Sequence, residues 1–371
     1  MKQVKKPTTV LPHRENKNTY FIAANGYSGF RSRYDVVFHS LSYTRVYIIK
    51  GGPGTGKSRM MAEIAKEIEK RGGNVQYIYC SSDPDSLDGV ILTNHERRIA
   101  ILDGTAPHTR CTDYPGVIDE IINLGEFWDD TCLSDQKDEI VRLCHKKSAD
   151  YQMAYRYLAL AGSVDEIATE LLTQCLDQEK LKKAVSRFVC KCRTSSAPQE
   201  TIQYWSACSM KGKVSFSPVP DDAAVIYVND YLGSGRFYLN ALRDALRKAE
   251  RYTYLLIPSC YTDERTEGIY LPDDNLLFVI GEGKTTDSVI NMRRFLLHDR
   301  LVALRPQLRS LSSLHNTATD TAVSYLREAG SYHFALDEIY GSAMDFAAKE
   351  KYVKDLLVRI QEQLFPLENI D

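Results

Sequence analysis

The sequence lacks long apolar runs and any excess of one charge. No stretch of about 18 or more apolar residues occurs, so we expect no membrane span. The 47 basic and 49 acidic residues nearly balance, and this gives no sign of a nucleic-acid-binding surface. Residues 1–18 are basic but no apolar segment follows them, so we expect a tail rather than a secretory signal.

Paired cysteines are also missing. The nine cysteines are scattered, no C-x-x-C pair exists, and only Cys190 and Cys192 lie close together in the sequence. This pattern indicates free thiols of a cytoplasmic protein rather than a disulfide framework or a metal site. An N-K-x-D sequence, which would specify guanine, is absent as well, so no residue pattern favours GTP.

A glycine-rich stretch, "GGPGTGKS" at residues 51–58, follows a short apolar run at residues 46–49. Apolar positions then recur at helical spacing, so the stretch lies between a strand and a helix, the context in which G-x-x-x-x-G-K-[ST] binds phosphates. We expect Lys57 to reach the β- and γ-phosphates and the Ser58 hydroxyl to ligate Mg²⁺. The predicted phosphate-binding loop comprises Gly51, Gly52, Pro53, Gly54, Thr55, Gly56, Lys57 and Ser58.

A second apolar run, "IAIL" at residues 99–102, ends in Asp103. In a buried parallel strand, a carboxylate at this end would hold Mg²⁺ through water, so Asp103 is predicted on the metal side of the same site. The alternative is that Asp103 only forms a turn before Gly104.

Gly104 stands where many ATP-hydrolysing motor proteins place a base, so a water-activating group must come from elsewhere. The candidates are Asp83, Asp85 and Asp88 in "SSDPDSLDG" and His108 in "GTAPH". The alternatives are turn and cap chemistry around Pro84 for the aspartates and a surface histidine for His108.

The glycine loop has a counterpart 179 residues later, "DYLGSGRF" at residues 230–237. The offset places Gly54 on Gly233, and it also carries "IAILDG" onto residues 278–283. A constant offset through a loop and a strand predicts a tandem repeat.

The second copy has lost the residues that carry the chemistry. At offset 179, Lys57 and Ser58 become Arg236 and Phe237, and Glu282 takes the position of Asp103. We therefore predict a decayed second site. Arg236 is interpreted as a surface arginine on that loop, with the alternative that it serves the first site in trans as an arginine finger.

A later match relates the helical parts of the two halves. "AYRYLALAGS" at residues 154–163 lies over "AVSYLREAGS" at residues 322–331, at offset 168. Residues 135–193 and 293–364 are therefore predicted to be helical, with a break at "AGS" that makes a hairpin or small bundle beside each core. Their role is either to stabilise the cores or to bind a protein partner.

The predicted fold is α/β: a P-loop NTPase fold duplicated in tandem, each parallel-sheet core being followed by a long helical segment. The predicted organisation is a tail (1–18), a first P-loop domain with the nucleotide site (19–195), a linker (196–212) and a degenerate second domain (213–371).

Several motifs together resemble a largely uncharacterised family of bacterial P-loop ATPases of the Gram-positive type, built as a tandem duplication. The similar stretches are "KGGPGTGKS" (50–58), "CSSDPDSLDGVIL" (80–92), "ILDGTAPH" (101–108), "YPGVIDEIINLGEFWD" (114–129) and "AMDF" (343–346). The resemblance implies ATP binding with Mg²⁺ and ATPase activity, and it implies no substrate or pathway. In that family the second copy usually keeps a good phosphate loop, and here it departs at Arg236 and Phe237.

Three functions stay open at this point. The first is an ATPase with one working Mg-ATP site, in which binding or hydrolysis switches the arrangement of the halves. The second is a P-loop phosphotransferase whose acceptor is held by "SSDPDSLDG". The third is a nucleotide-sensing scaffold without enzymatic activity.

Overall fold

The computed structural model of the chain describes residues 9–10, 18–216, 220, 222–283 and 288–366. Within the predicted tail, residues 1–8 and 11–17 lie outside these ranges, and Thr9–Val10 form a short strand. Within the described ranges, no helix is long and apolar enough to cross a bilayer.

The first half of the chain contains nine strands and five α-helices within the described residues. Its strands are β1 (Thr9–Val10), β2 (Thr19–Phe21), β3 (Ala23–Gly26), β4 (Gly29–Ser32), β5 (Arg45–Lys50), β6 (Asn74–Tyr79), β7 (Leu87–Asn94), β8 (Arg97–Asp103) and β9 (Asp119–Asn123). Its helices are α1 (Tyr34–Val37), α2 (Lys57–Lys70), α3 (Asp130–Asp135), α4 (Lys137–Gln174) and α5 (Gln178–Val189), with 3₁₀ turns at Ser40–Ser42 and Leu124–Phe127.

The second half has a shorter inventory in its described residues. Its strands are β10 (Glu200–Ile202), β11 (Ser206–Ser209), β12 (Gly212–Ser215), β13 (Ala224–Asn229), β14 (Tyr254–Pro258), β15 (Thr266–Leu271), β16 (Leu276–Ile280) and β17 (Ser288–Asn291). Its helices are α6 (Gly235–Ala249), α7 (His298–Ser342) and α8 (Phe346–Leu364), with 3₁₀ turns at Tyr231–Gly233, Pro272–Asp274 and Met292–Phe295.

Two six-stranded sheets repeat one topology. Their orders are β2-β6-β7-β8-β5-β9 and β10-β14-β15-β16-β13-β17, which correspond position by position. Even a register shift recurs, between Ile78 and Tyr79 in the first sheet and between Ile257 and Pro258 in the second, at offset 179. The internal repeat predicted from the sequence is therefore present in the strand pairing.

The prediction that each core is a parallel sheet is wrong in one respect. Strands β7 and β15 run antiparallel to both of their neighbours, so each sheet is mixed. The reason is the connection length, because β7 and β8 are joined by a two-residue turn at residues 95–96, too short for the crossover that parallel strands need.

The two sheets pack face to face. In β5, Val46 and Ile48 point into this interface while Tyr47 and Ile49 point toward the helices, as the alternation of a strand requires. Leu277 is one of the residues that the second sheet contributes. Each such buried aliphatic side chain contributes roughly 1.5–3 kcal/mol, so this interface makes the two halves one packed unit.

Each sheet takes its last helix from the other half of the chain. Helix α8 packs Leu356 and Ile360 with the first sheet and α2. Helix α5 packs Leu181 and Val185 with the second sheet and α6. A helix that belongs to one half in sequence thus completes the core of the other half.

The crossing points repeat as well. Among the isolated bridges that join the halves, Trp128 with Met344 and Leu176 with Leu296 form an equivalent pair, because their members are related by the 168-residue offset of the helical repeat. Helices α5 and α8 then begin at equivalent aspartate caps, each side chain accepting a bond from the amide three residues on.

The expected helix break at "AGS" is wrong. Helices α4 and α7 continue through it for 38 and 45 residues and pack against each other, with the Tyr157 and Tyr325 rings stacked at 5.7 Å. Gly162 and Gly330 serve close packing instead, because a methyl group there would lie 2.8 Å from Tyr27 and 3.0 Å from Met210 respectively. The expected hairpin beside each core is therefore replaced by one helix pair shared between the halves.

Residues 196–212, predicted as a linker, are part of the fold. Strand β10 is the edge strand of the second sheet, and β11 pairs with β12 in a small sheet that also contains β1. Tyr204 and Trp205, which follow the Ser/Pro-rich start of the segment, are buried and anchor the segment in the fold.

Candidate functional site

The glycine loop, residues 51–58, connects β5 to α2 as predicted. Gly54 and Gly56 have φ values of 69° and 73°, in the left-handed region that favours glycine. Helix α2 begins at Lys57, directly after Gly56. Such an alternation of backbone conformation before a helix start turns several amides toward one point, an arrangement that can bind an anion.

Lys57 lies folded over the loop. Its Nζ donates hydrogen bonds to the carbonyl oxygens of Gly51 at 2.9 Å and Gly52 at 2.8 Å, and Thr55 Oγ1 donates to the same Gly52 oxygen at 2.9 Å. The ammonium group is therefore held against the backbone of the loop.

Asp103 is the last residue of β8, next to the loop. It pairs with Ile49 in register, and its Oδ2 lies 3.5 Å from Lys57 Nζ. Its Oδ1 accepts bonds from the Thr105 amide at 2.9 Å and the Thr105 hydroxyl at 2.6 Å, so it also caps the turn that the alternative interpretation expected. Ser58 Oγ, the other predicted metal ligand, accepts a bond from the Leu87 amide at 2.9 Å.

The three candidate aspartates of the loop after β6 have separate surroundings. Asp83 Oδ1 accepts a bond from the Asp85 amide at 3.3 Å, and burial raises the pKa of Asp83. Asp85 forms an ion pair with Lys211. Asp88 lies on β7 and is buried, so only Asp83 and Asp85 have the turn chemistry that the alternative interpretation gave all three.

His108 is buried, not a surface histidine. Its ring stacks on Tyr34 at 4.3 Å and meets the edge of Phe30 at 5.0 Å, and its Nε2 lies 3.1 Å from Asp88 Oδ2. Cys80 is in the same cluster. The structure thus brings together two of the four water-activation candidates, and each contacts the other.

The second half also contributes to the site, which the sequence did not predict. Helix α7 crosses the glycine loop so closely that a side chain at Gly54 would strike the Asp337 carbonyl, and Tyr340 lies against Gly52. From α8, Lys349 donates a hydrogen bond to the Gly56 carbonyl at 2.9 Å, and burial lowers the pKa of its ammonium group.

His333, one turn before Asp337 on α7, faces the same region. Its Nε2 lies 3.8 Å from Asp337 Oδ1, and its pKa is lowered, first by burial, while the charges of Asp337, Lys57 and Asp83 also act on it. The only sequence signal for these contacts is the spacing 333, 337 and 340, which places three side chains on one helix face.

A cavity of about 430 Å³ lies at the neighbouring crossing of the halves. It is lined by the loop before α3 and by the break between α7 and α8, including Trp128 and Asp345. Trp128 also touches Gly52, so the cavity adjoins the glycine loop. A ligand that extends from the loop into this cavity would contact both halves.

The second glycine loop, residues 230–237, differs from the first. Gly233 keeps a positive φ of 86°, but α6 begins at Gly235, so the counterpart of Gly56 is wound into the helix. Asp230 occupies the position of Gly51, and its Oδ1 accepts a bond from the Gly235 amide at 2.9 Å. The Asp230 carboxylate therefore binds the Gly235 amide, a loop amide of the kind that would otherwise bind an anionic ligand.

The interpretation of Arg236 as a surface arginine is wrong. It is 7% exposed, and its guanidinium binds both carboxylate oxygens of Asp165 at 2.8 Å and Thr169 Oγ1 at 2.7 Å. Asp165 and Thr169 lie on α4, and their counterparts at offset 168 are His333 and Asp337. Arg236 therefore binds the second loop to α4, which leaves its guanidinium no access to the first loop.

The position equivalent to Asp103 is Ile280, not Glu282. Ile280 pairs with Val228 as Asp103 pairs with Ile49, and the following amides of Gly281 and Gly104 donate to the same equivalent carbonyls. The hairpin between β15 and β16 is two residues shorter than that between β7 and β8, so the 179-residue offset no longer applies after it.

Comparison with known families gives one partial match. A family model described as Nephrocystin 3, N-terminal, matches residues 31–91. This segment contains the glycine loop, α2, β6 and part of β7, and it is well under half of the chain. Comparisons with curated proteins and with solved structures gave no match.

Proposed function

We propose that this protein is a P-loop NTPase that binds and hydrolyses ATP at a single site, the glycine loop at residues 51–58. The observation that carries the proposal is the left-handed geometry at Gly54 and Gly56 with Lys57 folded over the loop and Asp103 beside it. A strand, such a loop and a helix start in sequence are suited to a polyphosphate.

The residues present fit Mg²⁺ as the partner of ATP. Hydroxyl and carboxylate oxygens are the ligands that Mg²⁺ prefers, and Ser58 and Asp103 offer one of each next to Lys57. Bound Mg²⁺ would neutralise phosphate charge. The loop amides and Lys57 then hold and orient the phosphates, which is most of what such transfer requires.

We further propose that the site is coupled to the arrangement of the two halves. Helix α7 lies on Gly52 and Gly54, and Lys349 of α8 binds the Gly56 carbonyl. A ligand that moves these glycines displaces helices that complete the first core and pair with α4. This supports an ATP-dependent switch, because the helices that contact the glycine loop also join the two halves.

The test follows phosphate release from Mg-ATP by the full chain. We expect steady turnover by the unmodified protein and loss of ATP binding by about 100-fold or more in Lys57→Ala, since each hydrogen bond to a charged group contributes about 1.5–3 kcal/mol. Lys70→Ala is the matched control, because Lys70 ends the same helix but is exposed and paired only with Glu67.

Each other outcome rejects part of the proposal. ATP binding without phosphate release would reject the ATPase and leave the phosphotransferase and the sensing scaffold, which acceptor screening would separate. Failure to bind ATP, or equal binding by Lys57→Ala and the control, would reject the nucleotide site itself.

A further inference from the structure

Three side chains of different chemistry meet beside the proposed nucleotide site. Cys80 follows β6, Asp88 lies on β7 and His108 lies in the loop after β8. Their potential ligand atoms, a thiol sulfur, a carboxylate oxygen and an imidazole nitrogen, all lie within 4.8 Å of one another. They lie within residues 80–108, and the antiparallel pairing of β6, β7 and β8 brings them together.

Within the described part of the chain, polar atoms of this cluster lack partners. Asp88 is 5% exposed and His108 is 7% exposed, yet Asp88 Oδ2 and His108 Nδ1 take part in no hydrogen bond. His108 Nε2 lies 3.1 Å from Asp88 Oδ2, a contact that is an ion pair only when the imidazole is protonated. Burying a carboxylate oxygen unsatisfied is costly, and a shared cation between the two atoms would remove this cost.

The surrounding groups fix the ligands in place. Tyr34 stacks on the His108 ring, and its hydroxyl donates a hydrogen bond to the Asp88 carbonyl at 3.2 Å. The Cys80 amide donates to the Ser86 carbonyl at 2.9 Å, and the His108 amide donates to the Thr105 carbonyl at 2.8 Å. The three ligands therefore sit on backbone that is already hydrogen-bonded, as a preorganised metal site requires.

We propose that Cys80, Asp88 and His108 bind one divalent transition-metal ion of the zinc type. Sulfur, nitrogen and a single carboxylate form the mixed set that Zn²⁺ favours, whereas Mg²⁺ prefers oxygen ligands throughout. The site is thus separate from the proposed Mg-ATP site, and three protein ligands leave a fourth position for water or another ligand. A bound ion would link the segments that follow β6 and β8 to strand β7.

The search for paired cysteines could not find this site. The cysteine pattern predicted no metal site that uses cysteine, because no C-x-x-C pair exists. Here each ligand comes from a different segment, so only the strand pairing identifies the set.

The experiment measures metal binding by the purified full chain after removal of its tag. A chelator first removes any bound metal, and the protein is then dialysed against Zn²⁺ or Co²⁺. We expect about one equivalent of Zn²⁺ by elemental analysis and, with Co²⁺, a thiolate-to-cobalt charge-transfer band. Cys80→Ser should abolish that band, and His108→Asn should weaken Zn²⁺ binding by about 100-fold. Cys192→Ser is the control, because Cys192 is another partly buried thiol and lies outside the cluster.

The unmodified protein alone can overturn the proposal, whatever the variants do. No retained Zn²⁺, or a cobalt spectrum without thiolate character, rejects the site. Retention of the band in a folded Cys80→Ser protein rejects the ligand assignment. ATP takes no part in this measurement, so a lack of metal binding would leave the proposed nucleotide site unaffected. Equally, a lack of ATP binding would leave the proposed metal site unaffected.

Discussion

The two glycine loops keep the same internal hydrogen bond but bind different partners. Thr55 donates to the Gly52 carbonyl in the first loop, and Ser234 donates to the Tyr231 carbonyl in the second, at the equivalent positions. Beyond this shared turn, the first loop has a glycine where the second has Asp230. The second loop thus carries its own anion, bound to the Gly235 amide.

Lys57 and Arg236, the basic residues at equivalent positions of the two loops, also differ in the partners that they bind. Lys57 donates its hydrogen bonds to neutral carbonyl oxygens, and its one carboxylate contact among the described residues, Asp103 at 3.5 Å, is long, so an incoming phosphate can replace these contacts. Arg236 binds the Asp165 carboxylate through two parallel bonds, which only a comparable charge could replace. The two loops thus share a turn, while the basic residue of the second loop binds a helix of the first half.

The largest effect is expected from breaking the Arg236–Asp165 pair. Arg236→Ala leaves a buried carboxylate, so we expect the free energy of unfolding to fall by about 3–5 kcal/mol, measured by urea unfolding. The double change Arg236→Met with Asp165→Leu should recover most of this loss, because it removes both charges. Arg59→Ala is the control, since Arg59 forms a solvent-exposed pair with Glu63, and such pairs add little stability.

The same double variant also tests whether the second loop binds a ligand. It should still bind one ATP per chain if the second loop has no ligand role. Equal, small losses of stability in Arg236→Ala and Arg59→Ala would contradict the structural role of Arg236.

A smaller effect is expected at the helices that cover each loop. Lys349 of α8 binds the Gly56 carbonyl, whereas its counterpart at offset 168, Leu181 of α5, lies in the second core. Lys349→Leu should weaken ATP binding about fivefold, because removing one neighbouring cation costs about 1 kcal/mol. Calorimetric titration measures this, with the exposed Lys354→Leu on the same helix as the control. Equal affinities in the two variants would show that α8 does not act on the loop.

Local sequence signals predicted the first loop and its flanks well. The motif placed a strand at residues 46–49 and a helix after residue 58, and the structure has β5 at Arg45–Lys50 and α2 from Lys57 onward. The repeat was also visible from the offset of 179 residues between the glycine loops, and the structure places Gly89 and Gly268, at the same offset, in equivalent positions of β7 and β15. Short-range constraints of this kind depend on neighbouring residues, which the sequence displays directly.

The long-range contacts could not be predicted in the same way. No local pattern shows that Asp337 or Lys349 will lie on the glycine loop, because both arrive through helices that cross between halves. The misplaced Glu282 has a similar cause, since a two-residue deletion in a hairpin changes the register without altering the nearby motif. Gly162 was expected to break a helix because its packing partner, Tyr27, is 135 residues away.

The smallest effect is expected from acid, and it also concerns the second loop. Burial acts to raise the pKa of Asp165, but Arg236 and Arg265 outweigh it, so the pKa of Asp165 is lowered. A carboxyl group whose pKa is lower in the folded state stabilises the fold above its unfolded pKa of about 3.9, and this contribution is lost as the pH falls through the lower, folded value.

We therefore expect the urea midpoint of the unmodified protein to fall from pH 4 downward more steeply than that of the Arg236→Met, Asp165→Leu double variant, which lacks the titrating group. Glu63→Gln, at an exposed pair, should leave the slope of the unmodified protein unchanged. Parallel curves for the unmodified protein and the double variant would mean that the Asp165 carboxylate gains no stability from Arg236, and the second loop would then be held to α4 by packing alone.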